Sequence, residues 1–172
     1  GKKASLEKHL GVRRLLAHDL FLVPCDPCRF LGAKGEIISS YRLDNLCSAF
    51  GALTGLIKAK KRADTIQMAV FWNHEEVGSG SEEGAASPFF IDTLQRICLA
   101  LGLSEEDFYC MKNASFSLSL DASHAIHPNY PGLYDHDNAP VMGGGTAIKI
   151  NANRRYATSA QSEGKIAAMM DK

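Results

Sequence analysis

The sequence has no apolar run approaching the roughly 18 residues that a transmembrane helix needs. Its start, Gly1-Lys2-Lys3, is not followed by the long apolar segment of a signal peptide. It also lacks an excess of either charge, with 19 Lys and Arg against 19 Asp and Glu, so no global basic field attracts nucleic acid. The 15 glycines and 6 prolines follow no triplet period, which excludes a collagen-like chain. We therefore expect a cytoplasmic protein that contacts neither membranes nor nucleic acid.

The 172 residues, 45% hydrophobic and 22% charged, have the composition of one globular domain or a piece of a larger one. The five cysteines are an odd number, which indicates free thiols in a reducing compartment. Cys25 and Cys28 form a C-x-x-C pair, but a redox dithiol needs a helix at this point and the sequence indicates a turn. A structural zinc site would need a second such pair. A thiol-redox domain using Cys25 and Cys28 stays open as a third functional hypothesis, which thiolate titration would test.

Hydrophobic periodicity predicts an alternation of helices and strands. Helical spacing or capping residues predict helices over 4–16, 45–61, 88–101 and 159–170, and a short capping box at Ser104 and Asp107. Apolar or alternating segments predict strands over 18–24, 35–40, 65–72, 115–120 and 146–150. From residue 41 onward, this order predicts an α/β fold, a sheet covered by helices. Residues 1–40 fit the pattern less well and are expected to form a separate subdomain.

Acidic side chains flank the predicted strands and the strongest helix. Glu75 and Glu76 follow the strand predicted over 65–72, and Asp121 directly follows the next one. Asp44 precedes the helix predicted from residue 45. Ligands of open α/β sheets collect at the carboxyl ends of the strands, where one glutamate can bind a metal while its neighbour takes a proton from water. The spacing alone is also compatible with the alternative, in which Asp44 caps the helix and the two glutamates are solvent-exposed.

Four ordered segments make the pattern specific. The segment Asn73-His74-Glu75-Glu76-Val77-Gly78-Ser79 resembles a motif of the aspartyl aminopeptidases, a family of exopeptidases with two zinc ions. Further segments that are similar to this family in the same order are Arg42–Leu46, Asp121–Tyr130, and Ile148–Asn151 with Arg154–Ala157. The resemblance runs from about Leu6 to the end of the chain and implies part of a zinc-aminopeptidase-type sheet.

The resemblance assigns roles to four carboxylates. Asp44 would bridge two zinc ions, while Glu76 and Asp121 would each be a terminal ligand of one of them. Glu75 would be the general base that activates the attacking water. Manganese or cobalt is a possible substitute for zinc, because oxygen-rich sites discriminate weakly between these metals.

The resemblance also implies a substrate. Family members release N-terminal aspartate or glutamate from peptides, so a cation is expected in the substrate pocket. Lys149 is the candidate, because an ammonium pairs well with a carboxylate in a shielded pocket. The alternative is a strand lysine that faces solvent. His127 and Tyr156 are further candidates for lining the substrate site.

The sequence departs from the family pattern at both ends. The family has two histidine zinc ligands, in an early and a late segment, and neither segment is found here. The chain is therefore expected to be a central fragment, with residues 1–40 the C-terminal part of an inserted dimerisation domain and 41–172 an incomplete catalytic domain. Alone, it is expected to bind zinc poorly and not to cleave peptides. The family also implies a homo-oligomer. A non-catalytic assembly or interaction module on the same fold is the main alternative.

Overall fold

The computed structural model describes residues 5–171, which divide after Leu43 into two compact units. In the first unit, helix α1 spans Leu6–Leu10 and ends at Gly11, whose φ of 69° suits glycine. Strands β1 (Arg29–Leu31) and β2 (Ile37–Ser39) pair antiparallel, with Phe30 opposite Ile38. The predicted helix over 4–16 is thus confined to one turn, and the predicted strand over 35–40 is confirmed at its centre.

The regular elements of the second unit are helices, joined by long irregular segments. The helices are α2 (Leu43–Lys58), α3 (Phe89–Ala100), α4 (Glu105–Ala114) and α5 (Ala160–Met170), with 3₁₀ turns at Glu75–Val77 and Pro131–Leu133. The helices predicted over 45–61, 88–101 and 159–170 are therefore confirmed to within a few residues. The predicted capping box is also present, since Ser104 Oγ accepts a hydrogen bond from Asp107 N at 3.1 Å and Asp107 Oδ2 accepts one from Ser104 N at 2.8 Å.

One sulfur contact and two aromatic contacts organise the region around α3 and α4. Phe108 of α4 and Cys98 of α3 are buried, and the Cys98 thiol lies 3.8 Å from Met111 Sδ. At the start of α3, Trp72 packs edge-on against Phe90, with ring centroids 5.8 Å apart. A similar edge contact joins Trp72 to Phe89. Because Trp72 lies three residues before Glu75, this aromatic cluster fixes the chain just ahead of the acidic turn.

The predicted sheet is not formed. Among the described residues, β1 and β2 make up the strand ladder, and the segments 18–24, 65–72, 115–120 and 146–150 contain no strand. The fold is a mixture of helices with a small two-stranded sheet, which confirms the mixed helix and strand content but not the larger sheet covered by helices. The physical reason is that an apolar segment becomes a strand only when a neighbouring strand pairs with its backbone.

No helix within residues 5–171 combines the length and apolar character that crossing a bilayer requires.

Candidate functional site

The two adjacent glutamates lie on a tight turn. His74 opens it with φ 58° and ψ 27°, in the left-handed region, and Gly78 closes it with φ 99°. Within the turn, Gly78 N donates to the Glu75 carbonyl at 3.0 Å and Ser79 N donates to the His74 carbonyl at 2.9 Å. Both glutamate side chains are exposed. The turn therefore presents two carboxylates from a hydrogen-bonded backbone.

The loop that follows folds back on this turn. Asn73 N donates to the Glu83 carbonyl at 3.3 Å, and Asn73 Nδ2 donates to Glu83 Oε2 at 2.7 Å. His74 Nδ1 lies 2.6 Å from Ser81 Oγ. Gly84 is buried where its Cα approaches the Ser79 carbonyl so closely that a Cβ atom would overlap the carbonyl oxygen. The loop conformation therefore depends on glycine at position 84, because only a residue without a Cβ atom fits against the Ser79 carbonyl.

Asp121 and Lys149, assigned separately from the sequence, form an ion pair. Lys149 Nζ donates to Asp121 Oδ2 at 2.6 Å and to the Ala122 carbonyl oxygen at 2.7 Å. The Lys149 ammonium lies 5.8 Å from the centre of the Tyr156 ring, within cation–π range. Thr158 Oγ1 donates to the Lys149 carbonyl at 2.7 Å. The structure therefore brings three of the predicted site residues together.

The electrostatics of this cluster favour a charged lysine. The hydrogen bond that Lys149 donates to Asp121 raises the pKa of Lys149, and the charges of Asp121, Tyr156 and Asp44 act in the same direction. Partial burial opposes them by lowering this pKa. Lys149 is only 28% exposed at its side chain, so it does not extend freely into solvent as the alternative interpretation required.

We expect the Lys149–Asp121 pair to contribute a pH-dependent stability. Folding raises the pKa of Lys149 above the value near 10.5 that it has in the unfolded chain. The stabilisation is therefore complete below pH 10.5 and is lost as pH rises through the pKa of Lys149 in the folded chain. Lys149→Met should lower the free energy of urea unfolding by about 1 kcal/mol near neutral pH, the range for partly exposed pairs. The difference from wild type should shrink above pH 10.5. A difference that stays constant to higher pH would contradict the assignment.

Of the other predicted residues, Asp44 lies near enough for its charge to act on Lys149, whereas Glu75, Glu76 and His127 make no direct polar contact with the ammonium. His127 is exposed, its ring centroid is 5.1 Å from that of Tyr130, and its Nδ1 accepts a hydrogen bond from Asn129 N at 3.2 Å. Within residues 5–171, no hydrogen bond or ion pair links His127, Glu75 or Glu76 to Lys149.

The side chains do not fit a metal ion as they are arranged. Nowhere in the described part of the chain do three His, Cys, Asp or Glu groups approach closely enough to hold one. The carboxylate of Asp121 is paired with an ammonium rather than grouped with Asp44 and Glu76. We therefore assign no chemical step to a metal in this structure.

Several residues of these clusters were not predicted from sequence. The Ala122 carbonyl and the Thr158 hydroxyl hold Lys149, while Ser81 and Glu83 hold the acidic turn. The Ala122 carbonyl could not be predicted, because every residue type has a backbone carbonyl. Serine and glutamate are so common in surface loops that their partners, seven and ten residues away, could not be identified by spacing.

Comparison with known proteins defines the class to which these residues belong. A family model described as aminopeptidase I zinc metalloprotease (M18) matches residues 3–172, so the class is that of zinc metalloproteases. The chain belongs to this M18 family, whose metal is zinc, and the predicted family resemblance is confirmed.

Individual relatives agree with the family. The chain is 40% identical over 149 residues to a "Probable aspartyl aminopeptidase" of Ricinus communis, covering 82% of this chain and 30% of that protein. It is 37% identical over 160 residues to aspartyl aminopeptidase 1 of Schizosaccharomyces pombe, covering 90% and 34%. Ape4 in the cryo-electron microscopy structure of the Ape4 and Nbr1 complex matches with a TM-score of 0.72 and 35% identity, over 85% of this chain and 29% of that one. The chain thus spans about a third of these relatives' length.

Proposed function

We propose that this chain supplies part of the active site of an aminopeptidase that releases N-terminal aspartate or glutamate from peptides. The observation that carries the proposal is the Glu75–Glu76 turn, in which a hydrogen-bonded backbone presents two exposed carboxylates. Membership of the M18 family and the aspartyl aminopeptidase names of the relatives support a peptidase with this preference.

In this proposal Glu75 is the general base. Its carboxylate takes a proton from the attacking water and passes it to the leaving amine, which is the work that a positioned carboxylate does in peptide hydrolysis. Among the described residues, the Glu75 side chain forms no hydrogen bond or ion pair that would occupy it. It is therefore available to move a proton.

Lys149 is proposed to recognise the acidic side chain of the substrate. An ammonium group carries three N–H donors, and the Asp121 carboxylate and the Ala122 carbonyl accept from two of them. The remaining donor is available to a substrate carboxylate. Tyr156, whose ring faces the same ammonium, and His127 are proposed to line this pocket.

For the metal, the resemblance assigns zinc to Asp44, Glu76 and Asp121, with manganese or cobalt as possible substitutes. Because the described side chains do not converge on one position, we propose that this chain alone binds zinc weakly and does not cleave peptides. We also propose that residues 1–40 belong to a dimerisation domain, that 41–172 belong to the catalytic domain, and that the whole protein is a homo-oligomer.

Zinc content and a chimera test this function together. After zinc loading and dialysis, we expect well under one zinc ion per chain; about two per chain, reduced by Glu76→Ala but not by Glu82→Ala, would contradict weak binding. In the chimera, residues 5–171 replace the matching segment of the S. pombe aspartyl aminopeptidase 1.

The chimera should cleave a peptide with N-terminal aspartate at least tenfold faster than one with N-terminal leucine, while the chain alone cleaves neither. Lys149→Met should reduce this preference more than Lys165→Met, the matched control on α5. A folded, zinc-loaded chimera without acidic aminopeptidase activity would overturn the proposed function.

A further inference from the structure

The acidic turn is held by side chains that belong to no strand or helix. His74 immediately precedes Glu75, and its imidazole Nδ1 lies 2.6 Å from the hydroxyl oxygen of Ser81, seven residues later. One residue earlier, Asn73 Nδ2 donates to Glu83 Oε2 at 2.7 Å. The His74–Ser81 contact is nested inside the Asn73–Glu83 contact, as in a hairpin, so both join the two sides of the same loop.

The backbone reinforces the same connection. Asn73 N donates to the Glu83 carbonyl at 3.3 Å, while Asn73 Oδ1 accepts a hydrogen bond from His74 N at 2.9 Å. The Asn73 side chain therefore forms one hydrogen bond with the backbone of His74 and another with Glu83 on the far side of the loop. His74 is held in the left-handed region by this arrangement, a conformation that a non-glycine residue adopts only when its surroundings favour it.

We propose that the contacts Asn73–Glu83 and His74–Ser81 form a side-chain clamp whose role is to position the Glu75–Glu76 turn. His74 is thus a positioning residue that acts through the two glutamates, and the functional meaning of the clamp depends on the function proposed above. The geometry supports this role because the carbonyl of His74 also accepts from Val77 N at 3.3 Å and from Ser79 N at 2.9 Å. Fixing His74 therefore fixes the backbone on both sides of the carboxylates.

Ser81→Ala removes the His74–Ser81 contact of the clamp and leaves His74 itself, the residue in the left-handed conformation, unchanged. We expect the amide protons of Val77, Gly78 and Ser79 to exchange about five- to tenfold faster in this variant, because one hydrogen bond of ordinary strength is lost. The exposed Ser117→Ala is the matched control and should leave these rates unchanged. Two-dimensional NMR of the isotopically labelled 172-residue chain gives the rates residue by residue.

Substitutions at His74 separate the ring contact from the backbone conformation. Asparagine tolerates the left-handed region and places an amide group near the position of Nδ1, whereas glycine tolerates that region but contributes no side chain. His74→Asn should therefore retain the slow exchange of Val77, Gly78 and Ser79, and His74→Gly should lose it. The ¹⁵N shift of the His74 ring should also move in Ser81→Ala, as a direct signature of the contact.

The outcomes decide the inference independently of peptidase activity. Unchanged exchange in both Ser81→Ala and His74→Gly, or failure of His74→Asn to retain protection, would overturn the clamp. The amides of α4 report on global unfolding, because the loop does not contact α4 through these hydrogen bonds. If either variant unfolds the whole chain, exchange at these amides will accelerate equally. This result also counts against a local clamp. An inactive chimera with an intact clamp would instead overturn only the proposed function.

Discussion

Glu75→Gln should abolish most of the acidic aminopeptidase activity of the zinc-loaded chimera. Glutamine has nearly the same size as glutamate but cannot accept a proton at neutral pH, so the chemical step loses its general base. Positioned acids and bases contribute about 10²–10⁴-fold, and we expect kcat for a peptide with N-terminal aspartate to fall by about this factor. KM should change by no more than about threefold, because Glu75 is not assigned to substrate binding.

The matched control for this experiment is Glu82→Gln. Glu82 is an exposed glutamate of the same loop, so the substitution removes the same charge from the same region without touching the turn. Its kcat should remain within about twofold of the parent chimera. A Glu75→Gln variant with near-normal kcat would show that another group takes the proton, and the role assigned to Glu75 would be wrong.

Gly84→Ala should disrupt the loop that carries the Glu75–Glu76 turn, because the added Cβ atom has no room. The added Cβ would overlap the carbonyl of Ser79, which also accepts a hydrogen bond from Ala86 N at 3.2 Å. The two sides of the loop must therefore separate. Overpacking of this kind costs about 1–3 kcal/mol, and the cost falls on the loop that carries Glu75 and Glu76. In the chimera, the activity should fall at least tenfold.

Gly80→Ala provides the control for Gly84→Ala. Gly80 belongs to the same loop, yet the nearest atom to a Cβ placed there is the Gly78 carbonyl oxygen at 4.0 Å, an ordinary contact. Limited proteolysis of the chain should show faster cleavage within residues 79–87 in Gly84→Ala and an unchanged rate in Gly80→Ala. Equal cleavage of the two variants would mean that the close approach of Gly84 to Ser79 is not needed for the loop.

The helices were predictable because their interactions are local. The apolar spacing over 45–61 and the Ser104–Asp107 capping box depend on residues within about one or two turns of each other, and both were found. The segment 18–24 shows the opposite case. Its apolar side chains predicted a strand, but the hairpin formed instead between Arg29–Leu31 and Ile37–Ser39, where a short glycine-containing turn brings two segments together.

The site was predictable only in part, for a related reason. The motif around Glu75 identified the family, which the comparison confirmed. The pairing of Asp121 with Lys149 joins residues 28 positions apart in the sequence, and no local pattern reports such a contact. The roles of Asp44, Glu76 and Asp121 at a metal remain predictions, because these side chains form no cluster of three in the described structure.

The small buried core has a thermodynamic consequence. Within residues 5–171, the buried hydrophobic side chains are Cys98 and Phe108, while large ones such as Phe21 and Leu22 remain exposed. The heat-capacity increase on unfolding comes mainly from newly hydrated apolar surface, and compact domains show about 12–15 cal/mol/K per residue. This chain has less such surface left to expose than a compact domain, so its increase should fall below that range. Its folding free energy should then curve less with temperature, which makes the temperature of maximum stability less sharply defined.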